Sequence, residues 1–323
     1  MDGMPLSQAT ALITLVVPVF NEEDTIPIFI DAVRQLRLDH LRARLEVLFV
    51  NDGSTDATLS ILRGLQARED FVGYIDLSRN FGKEAAMTAG LEHARGDAVI
   101  PMDVDLQDPP ELIADMVARW RDGAEVVLAR RTNRDSDTAI KRTTASWFYK
   151  VHNLLASPKI PDNVGDYRLM DRKVVEALKQ LPESRRFMKG LFAWIGFQTA
   201  EVSYTRSERV AGQTKFNGWK LWNFALEGLT SFSTTPLRIW TYLGFFVAIP
   251  SLVYAIFIVM RSLLIGSDVP GYASLIVAIC FLGGLQLIGI GVLGEYLGRT
   301  YLEAKGRPVY IVRECELPPT RQA

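Results

Sequence analysis

The 323-residue chain has almost no excess charge: 36 lysines and arginines face 37 aspartates and glutamates, for a formal net charge of −1. A nucleic-acid partner held by bulk electrostatics is thereby excluded. Cysteine is scarce. Cys280 and Cys315 are the only two, and their spacing suits neither a metal site nor a disulfide framework, so nothing calls for an oxidising compartment. No Gly-x-Gly-x-x-Gly follows the first apolar run, so a nicotinamide- or flavin-binding sheet would lack its phosphate cradle. That run, Leu12 to Phe20, is too short for a secretion signal and leads straight into the acids Glu22 and Glu23. It reads as a strand.

What the chain does have is a rhythm. From residue 12 to about 130, the runs "LITLVVPVF", "LEVLFV", "VGYIDLS", "DAVIPMD" and "AEVVLAR" alternate with helical patterns. The alternation predicts an α/β fold, a mostly parallel sheet with helices on both faces and a ligand at the carboxyl ends of its strands. Those ends read Asn21-Glu22-Glu23, Asn51-Asp52-Gly53-Ser54, Ser78-Arg79-Asn80 and Asp103-Val104-Asp105. Local turn chemistry explains part of this: Gly53 can supply positive φ, Thr55 or Asp56 can cap the next helix, and Asp108 before Pro109-Pro110-Glu111 reads as another cap. It does not explain Asp103 and Asp105. An unpaired buried carboxylate costs more than a domain can spare, and a divalent cation on these two is a natural substitute for the missing glycine-rich cradle. A calcium loop of the EF-hand kind is excluded, because from Asp103 its sixth and twelfth positions would be Asp108 and Ala114 rather than glycine and glutamate.

The second half changes character. Residues 239–260, "IWTYLGFFVAIPSLVYAIFIVM", carry no charge, and a second uncharged run fills the interval between Asp268 and Glu295. Each is long enough, as a helix, to cross about 30 Å of hydrocarbon. Arg238 precedes the pair and Arg299, Lys305 and Arg307 follow it, so the positive-inside bias predicts a two-helix hairpin with both termini cytoplasmic. Two further segments read as helices lying on the bilayer surface: Trp147, Val151, Leu154 and Leu155 beside Lys141, Arg142 and Lys150, and then Phe216, Trp219, Trp222, Leu226 and Leu229 on one face. The expected organisation is an α/β domain over residues 1–210, including an interfacial helix at about 141–156, and a loop with a juxtamembrane helix over 211–235. Spans at about 239–260 and 271–294 follow within 236–297, and a cytoplasmic tail occupies 298–323. In that tail "RPVYIVRE" alternates like a strand, a candidate to pair with another subunit's sheet.

The stretches "VVPVFNEEDTI", "VLFVNDGSTDAT", "SRNFGKEAAMTAGLEHARGDAVIPMDVDLQDPPE" and "GDYRLMDRKVVEAL", followed by two spans, resemble the family-2 glycosyltransferases that charge a polyprenyl phosphate. In particular they resemble the bacterial bactoprenol glucosyltransferases related to dolichyl-phosphate mannose synthase. The resemblance covers residues 12 to about 312. It implies a GT-A fold in the plasma membrane, a nucleotide sugar as donor, undecaprenyl phosphate as acceptor, Mg2+ or Mn2+ as cofactor, and a homo-oligomer, a tetramer in the family. It also places Pro18, Glu22, Asp52 and Asp103 at the nucleotide sugar and Asp103, Asp105 and Gln107 at the metal. Asp105 and Asp166 fall at the reaction centre, and Arg130, Arg142, Ser146, Arg209 and Lys215 at the lipid phosphate.

The residues agree with that implication. A hard divalent ion prefers carboxylate and carbonyl oxygens and would neutralise charge on a departing diphosphate. Arg142 and Ser146, four apart, share a helical face; arginine's planar fork suits phosphate, and Gly212 permits a close turn beside Arg209 and Lys215. UDP-glucose is the favoured donor by resemblance, although relatives use mannose, galactose, N-acetylglucosamine or aminoarabinose donors. A processive polysaccharide synthase shares the first domain, but its Gln-x-x-Arg-Trp motif and additional spans are not found here. A non-catalytic, membrane-anchored sugar-nucleotide-binding protein would have no need of Asp52, Asp103, Asp105, Asp166 and Lys215 together.

Overall fold

A computed structural model describes residues 10–36, 38–132, 164–184, 186–205, 235–265 and 271–319. Strands β1 (Ala11–Val19), β2 (Ala43–Asn51), β3 (Val72–Leu77) and β4 (Ala98–Pro101) form the parallel heart of a mixed sheet. The eight strands run in the order β7-β5-β6-β4-β1-β2-β3-β8. Strand β5 (Val126–Arg131) is parallel to β7 (Thr199–Tyr204), whereas β6 (Val164–Asp171) enters antiparallel between β4 and β5. That insertion is the departure from the expected parallel pattern. It brings the start of β6, including Asp166, to the rim where β4 ends.

Helices cover both faces because the central strands are apolar on both faces. On one face Ile13, Leu15, Val17 and Phe49 pack under α1 (Thr25–Arg34), α2 (Thr58–Gln66) and α4 (Leu112–Arg121), through Phe29, Leu62, Met116 and Trp120. On the other, Val16, Leu48, Val50 and Ile75 meet α3 (Lys83–His93), α5 (Arg172–Lys179) and α6 (Met188–Trp194). Helix α3 can lie close to the sheet because its inner side is Ala86, Ala89 and Gly90; a Cβ on Gly90 would stand 2.2 Å from Val16 Cγ1.

Strand β8 (Val312–Glu316) pairs antiparallel with β3 of the same chain, which corrects the expectation that the tail strand reaches another subunit's sheet. The physical reason lies in its side chains. Arg313 Nη1 donates to buried Asp76 at 3.2 Å, and Glu314 accepts from both Arg63 and Tyr74. The interfacial-helix segments, with Arg142, Ser146, Arg209 and Lys215, lie outside the described residues.

Two long helices follow the domain, α7 (Thr235–Ile265) and α8 (Tyr272–Ala304). Among the described residues one stretch, Phe281–Ala304, is long and apolar enough to cross a membrane, and none of it is buried. Phe246, Leu264 and Leu287 on these helices are each more than 70% exposed, an apolar surface of the kind that marks an interface. Ser184, between α5 and α6, ties the domain to the end of α8 by donating its N–H and Oγ–H to Glu303 Oε2 at 2.9 and 2.7 Å.

At the end of β2, Gly53 has φ 67, and a Cβ there would meet the Arg79 carbonyl carbon at 2.4 Å. Gly53→Ala is expected to cost about 1–3 kcal/mol, the range for a non-glycine residue forced into a left-handed backbone. The midpoint of thermal unfolding of the solubilised protein should fall by a few degrees; an unchanged midpoint would show that the β2 and β3 ends are not held this close.

Candidate active site

The carboxyl ends of β4, β1, β2 and β3 share one rim, and the acids there divide into two groups. The first is structural. Asn21 Oδ1 accepts from Thr55 N–H at 2.8 Å, Glu23 Oε2 from Ala57 N–H at 2.8 Å and Asp56 Oδ1 from Thr58 N–H at 3.1 Å, so the loops after β1 and β2 are laced together; the N-cap of α2 is Ala57, and Asp56 reaches the helix's first N–H from the residue before it. Glu22 Oε2 accepts from Thr25 Oγ–H at 2.7 Å at the start of α1. Pro18 stands within β1 opposite Val50.

Asp52 is only 4% exposed, and its two oxygens accept the N–H groups of Phe81 and Gly82 at 2.7 and 2.9 Å. Burial pushes its pKa up, and those amides and Arg79 offset this only in part, so it stays above its ordinary value. Its carboxylate therefore fixes the loop that launches α3. Asp108 does not cap α4 as its sequence context suggested. It is buried, accepts from Tyr204 Oη–H and lies 3.8 Å from Arg131, because partners at the ends of β5 and β7 reach a buried carboxylate that a helix end would have left in water.

The second group gathers around a residue that the sequence reading passed over. Lys83, the first residue of α3, places its Nζ 2.6 Å from Asp103 Oδ1 and 3.3 Å from Asp166 Oδ2. Desolvation lowers the Lys83 pKa, but the two carboxylates more than reverse this and hold it above the ordinary lysine range. Desolvation raises Asp166, and Lys83, Lys189 and Arg168 together override it, leaving that carboxyl below its ordinary value. Asp166 Oδ1 is buried with no hydrogen-bond partner, and so is Oε2 of the neighbouring Glu84. Burial first, and then the charge of Asp166, push Glu84 up to about 8 despite Lys83 and Lys189. The signal in the sequence was "NFGKEAA": Gly82 at φ 101 turns the chain so that the next two side chains enter the rim.

Beyond β4, Asp105 Oδ1 accepts from Gln107 N–H at 3.2 Å. Between them Leu106 has φ 52, a strained backbone of the kind that persists at functional sites because its surroundings enforce it. Arg130, at the end of β5, is paired with Glu201 of β7 at 2.9 Å.

The donor set fits a hard divalent ion. Asp103, Asp105 and Gln107 offer oxygens within five residues, and Asp166 Oδ1 is a buried oxygen still lacking a partner. No group of three or more His, Cys, Asp or Glu side chains gathers for a metal among the described residues. Magnesium is typically held by one or two carboxylates plus substrate phosphates rather than by an all-protein cage, so two carboxylates would be enough to hold it.

Residues 14–179 match the Glycosyl transferase family 2 profile. The SfII prophage-derived bactoprenol glucosyl transferase of Shigella flexneri is 57% identical over 302 residues, covering 94% of this chain and 97% of that protein. The chain belongs to glycosyl transferase family 2. A prophage bactoprenol glucosyl transferase homolog of Escherichia coli K12 is 56% identical over 305 residues, covering 94% and 99% of the two chains. The solved mannosyltransferase of Pyrobaculum calidifontis, in complex with GDP-Man and Mn2+, is 18% identical with a TM-score of 0.48, covering 94% of this chain and 89% of that one. This family-2 glycosyltransferase has a mixed α/β sheet whose acidic rim brings Asp103 and Asp166 onto one cation, Lys83.

Glu84 gives the rim a pH signature. In the unfolded chain its carboxyl loses its proton near the ordinary 4.5, whereas the folded protein retains it up to about 8. Between those values folding takes up a proton, so this group's contribution to stability falls as pH rises through the window and is flat above it. Glu84→Gln should therefore gain stability relative to the parent as pH goes from 5.5 to 8, measured by thermal unfolding of both. A constant difference across that interval would overturn the assignment.

Proposed function

We propose that this glycosyltransferase moves one sugar, glucose from UDP-glucose, onto a polyprenyl phosphate of the bactoprenol type at the membrane face, with inversion at the anomeric carbon. The observation that carries this reading is the meeting of Asp103, at the end of β4, and Asp166, at the start of β6, around Lys83. Two carboxylates and a lysine on one strand-end rim are what a nucleoside diphosphate and its counter-ion require. The acceptor class is supported by the bactoprenol glucosyl transferases at 56–57% identity over nearly their whole length.

In this reading Pro18, Glu22 and Asp52 border the nucleoside. For Asp52 this contact is indirect, through the Phe81–Gly82 loop that its carboxylate holds. Asp103, Asp105 and Gln107 would hold Mg2+ or Mn2+, which supplies Lewis-acid neutralisation of the leaving diphosphate. An oxygen of the lipid phosphate attacks the anomeric carbon while the bond from that carbon to the diphosphate oxygen breaks. The electron pair leaves with the nucleoside diphosphate. A phosphate monoester is already largely ionised at pH 7, its second pKa being about 6, so the nucleophile needs little help from a base. Asp166 then orients the substrates. Arg130, with Arg142, Ser146, Arg209 and Lys215, receives the lipid phosphate through charge-assisted hydrogen bonds.

Helices α7 and α8 serve as a membrane hairpin in this reading. Their unburied apolar side chains and the basic residues beyond α8, Lys305 and Arg307, support catalytic domain and termini on the cytoplasmic side. A processive synthase fits less well, because its Gln-x-x-Arg-Trp acceptor motif is not found in the sequence.

Membranes carrying the protein, incubated with undecaprenyl phosphate and a panel of nucleotide sugars, should yield a lipid heavier by one hexose with UDP-glucose. Asp105→Ala should reduce transfer by about a hundredfold, in keeping with the several kcal/mol that charge stabilisation at a leaving group supplies. Near-normal transfer by that variant would remove Asp105 from the site, and no lipid product with any donor would overturn the activity.

The topology has its own test. In a background with Cys280 and Cys315 replaced by serine, a cysteine placed between α7 and α8 should react with an impermeant reagent added to intact cells, whereas one at position 305 should not. The reverse pattern would place the domain on the other side.

A further inference from the structure

Lys83 occupies an unusual position for a lysine. It opens α3, where the positive end of the helix dipole disfavours a cation, yet its ammonium reaches back across the rim to two carboxylates from different strands. The preceding turn is built for this: Asp52 clamps the Phe81 and Gly82 amides, and Gly82 takes φ 101. Its stem retains nearly half its surface, 45%, so the ammonium is held by charge rather than by packing. Two of its three donors are used on Asp103 and Asp166, and the Asp166 oxygen that it does not touch is buried without a partner.

A lysine is a compact charge on a four-carbon stem that can swing. The carboxylate it holds most closely, that of Asp103, is one that a divalent ion at Asp103 and Asp105 would also take. Ammonium and metal thus compete for one carboxylate. A diphosphate arriving with the metal resolves the competition, because it brings new negative oxygens to which the displaced ammonium can turn.

We infer that Lys83 is a tethered counter-cation of the donor site. It neutralises Asp103 and Asp166 while the site is empty of nucleotide and keeps a divalent ion from settling there alone. It passes its ammonium to the donor's diphosphate when metal and nucleotide sugar enter together. The inference rests on the proposed metal role of Asp103 and Asp105, and it assigns Lys83 a second task, that of making metal binding conditional on the donor.

The test is Mn2+ binding to the full-length solubilised protein, read from the free Mn2+ electron paramagnetic resonance signal with and without UDP. The parent should bind Mn2+ weakly without UDP. Lys83→Met and Lys83→Gln, two variants so that loss of one to misfolding leaves the other, should bind it at least about tenfold more tightly without UDP, a shift of about 1.4 kcal/mol. They should also lose most of the tightening that UDP causes in the parent. Lys83→Arg, which keeps the charge, should stay within about threefold of the parent. If the neutral variants bind Mn2+ without UDP no better than the parent, or if Lys83→Arg tightens as they do, the inference is overturned. Asp103→Asn separates this from failure of the underlying metal reading: it should abolish binding under every condition, and binding equal to the parent would refute the metal site itself.

Discussion

Asp103, just beyond the end of β4, and Asp166, at the start of the antiparallel β6, meet on one rim and need a cation between them, and this constraint shapes that rim of the molecule. Left alone, Asp103 and Asp166 would repel one another, and buried Asp166 would pay heavily for desolvation. The lysine that joins them comes from a third element, and its delivery involves parts that look unrelated. Asp52 spends both carboxylate oxygens on the amides of the turn before α3. Gly53 lets the β2 end approach the Arg79 backbone so that this turn lies within reach. The small inner side of α3, with Gly90 against Val16, sets the helix low enough on the sheet for its first residue to look over the edge.

The strands with clear apolar runs, β1 to β5, were legible because each carries its own burial pattern along the chain. Strands β6 and β7 were not. Thr199–Tyr204 is an edge strand whose outer residues are exposed, so it has no continuous apolar run. "GDYRLMD" stood out as a motif while its antiparallel place between β4 and β5 depended on pairings far away in sequence. The tail strand was anticipated, but its partner was not, because Arg313 with Asp76 and Glu314 with Arg63 and Tyr74 are contacts between residues more than 230 apart.

Within the site the carboxylates were easier to find than their cation. Asp103 and Asp105 announce themselves because acid at the end of an apolar run is costly without a purpose, whereas Asp166 was found only through the family resemblance of "GDYRLMDR". Lys83 and Glu84 do not announce themselves, since a lysine and a glutamate in the first turn of a helix are ordinarily solvated. Only the fold shows that this helix begins inside the rim. Asp108 failed in the opposite sense: its local context proposed a cap, but Tyr204, 96 residues away, claims it. Local rules hold where water is the competing partner and yield where a buried neighbour competes.

The electrostatics of the rim also bear on what Asp166 can do. A general base for a neutral-pH reaction works best with a pKa near the operating pH, yet Lys83, Lys189 and Arg168 hold Asp166 below even the usual carboxylate range. A carboxylate so placed is a weak proton acceptor and a strong fixed charge. Departure of Lys83 toward a diphosphate would remove one of three cations and leave Lys189 and Arg168 in place. A glycosyl acceptor that is already an anion has no proton to surrender, and its enzyme can devote these charges to orientation and to the leaving group. Glu84, protonated up to about 8, completes the arrangement: were it ionised at neutral pH beside Asp166, it would draw on Lys83 and Lys189, and the rim would hold its cations too tightly to exchange one for a substrate.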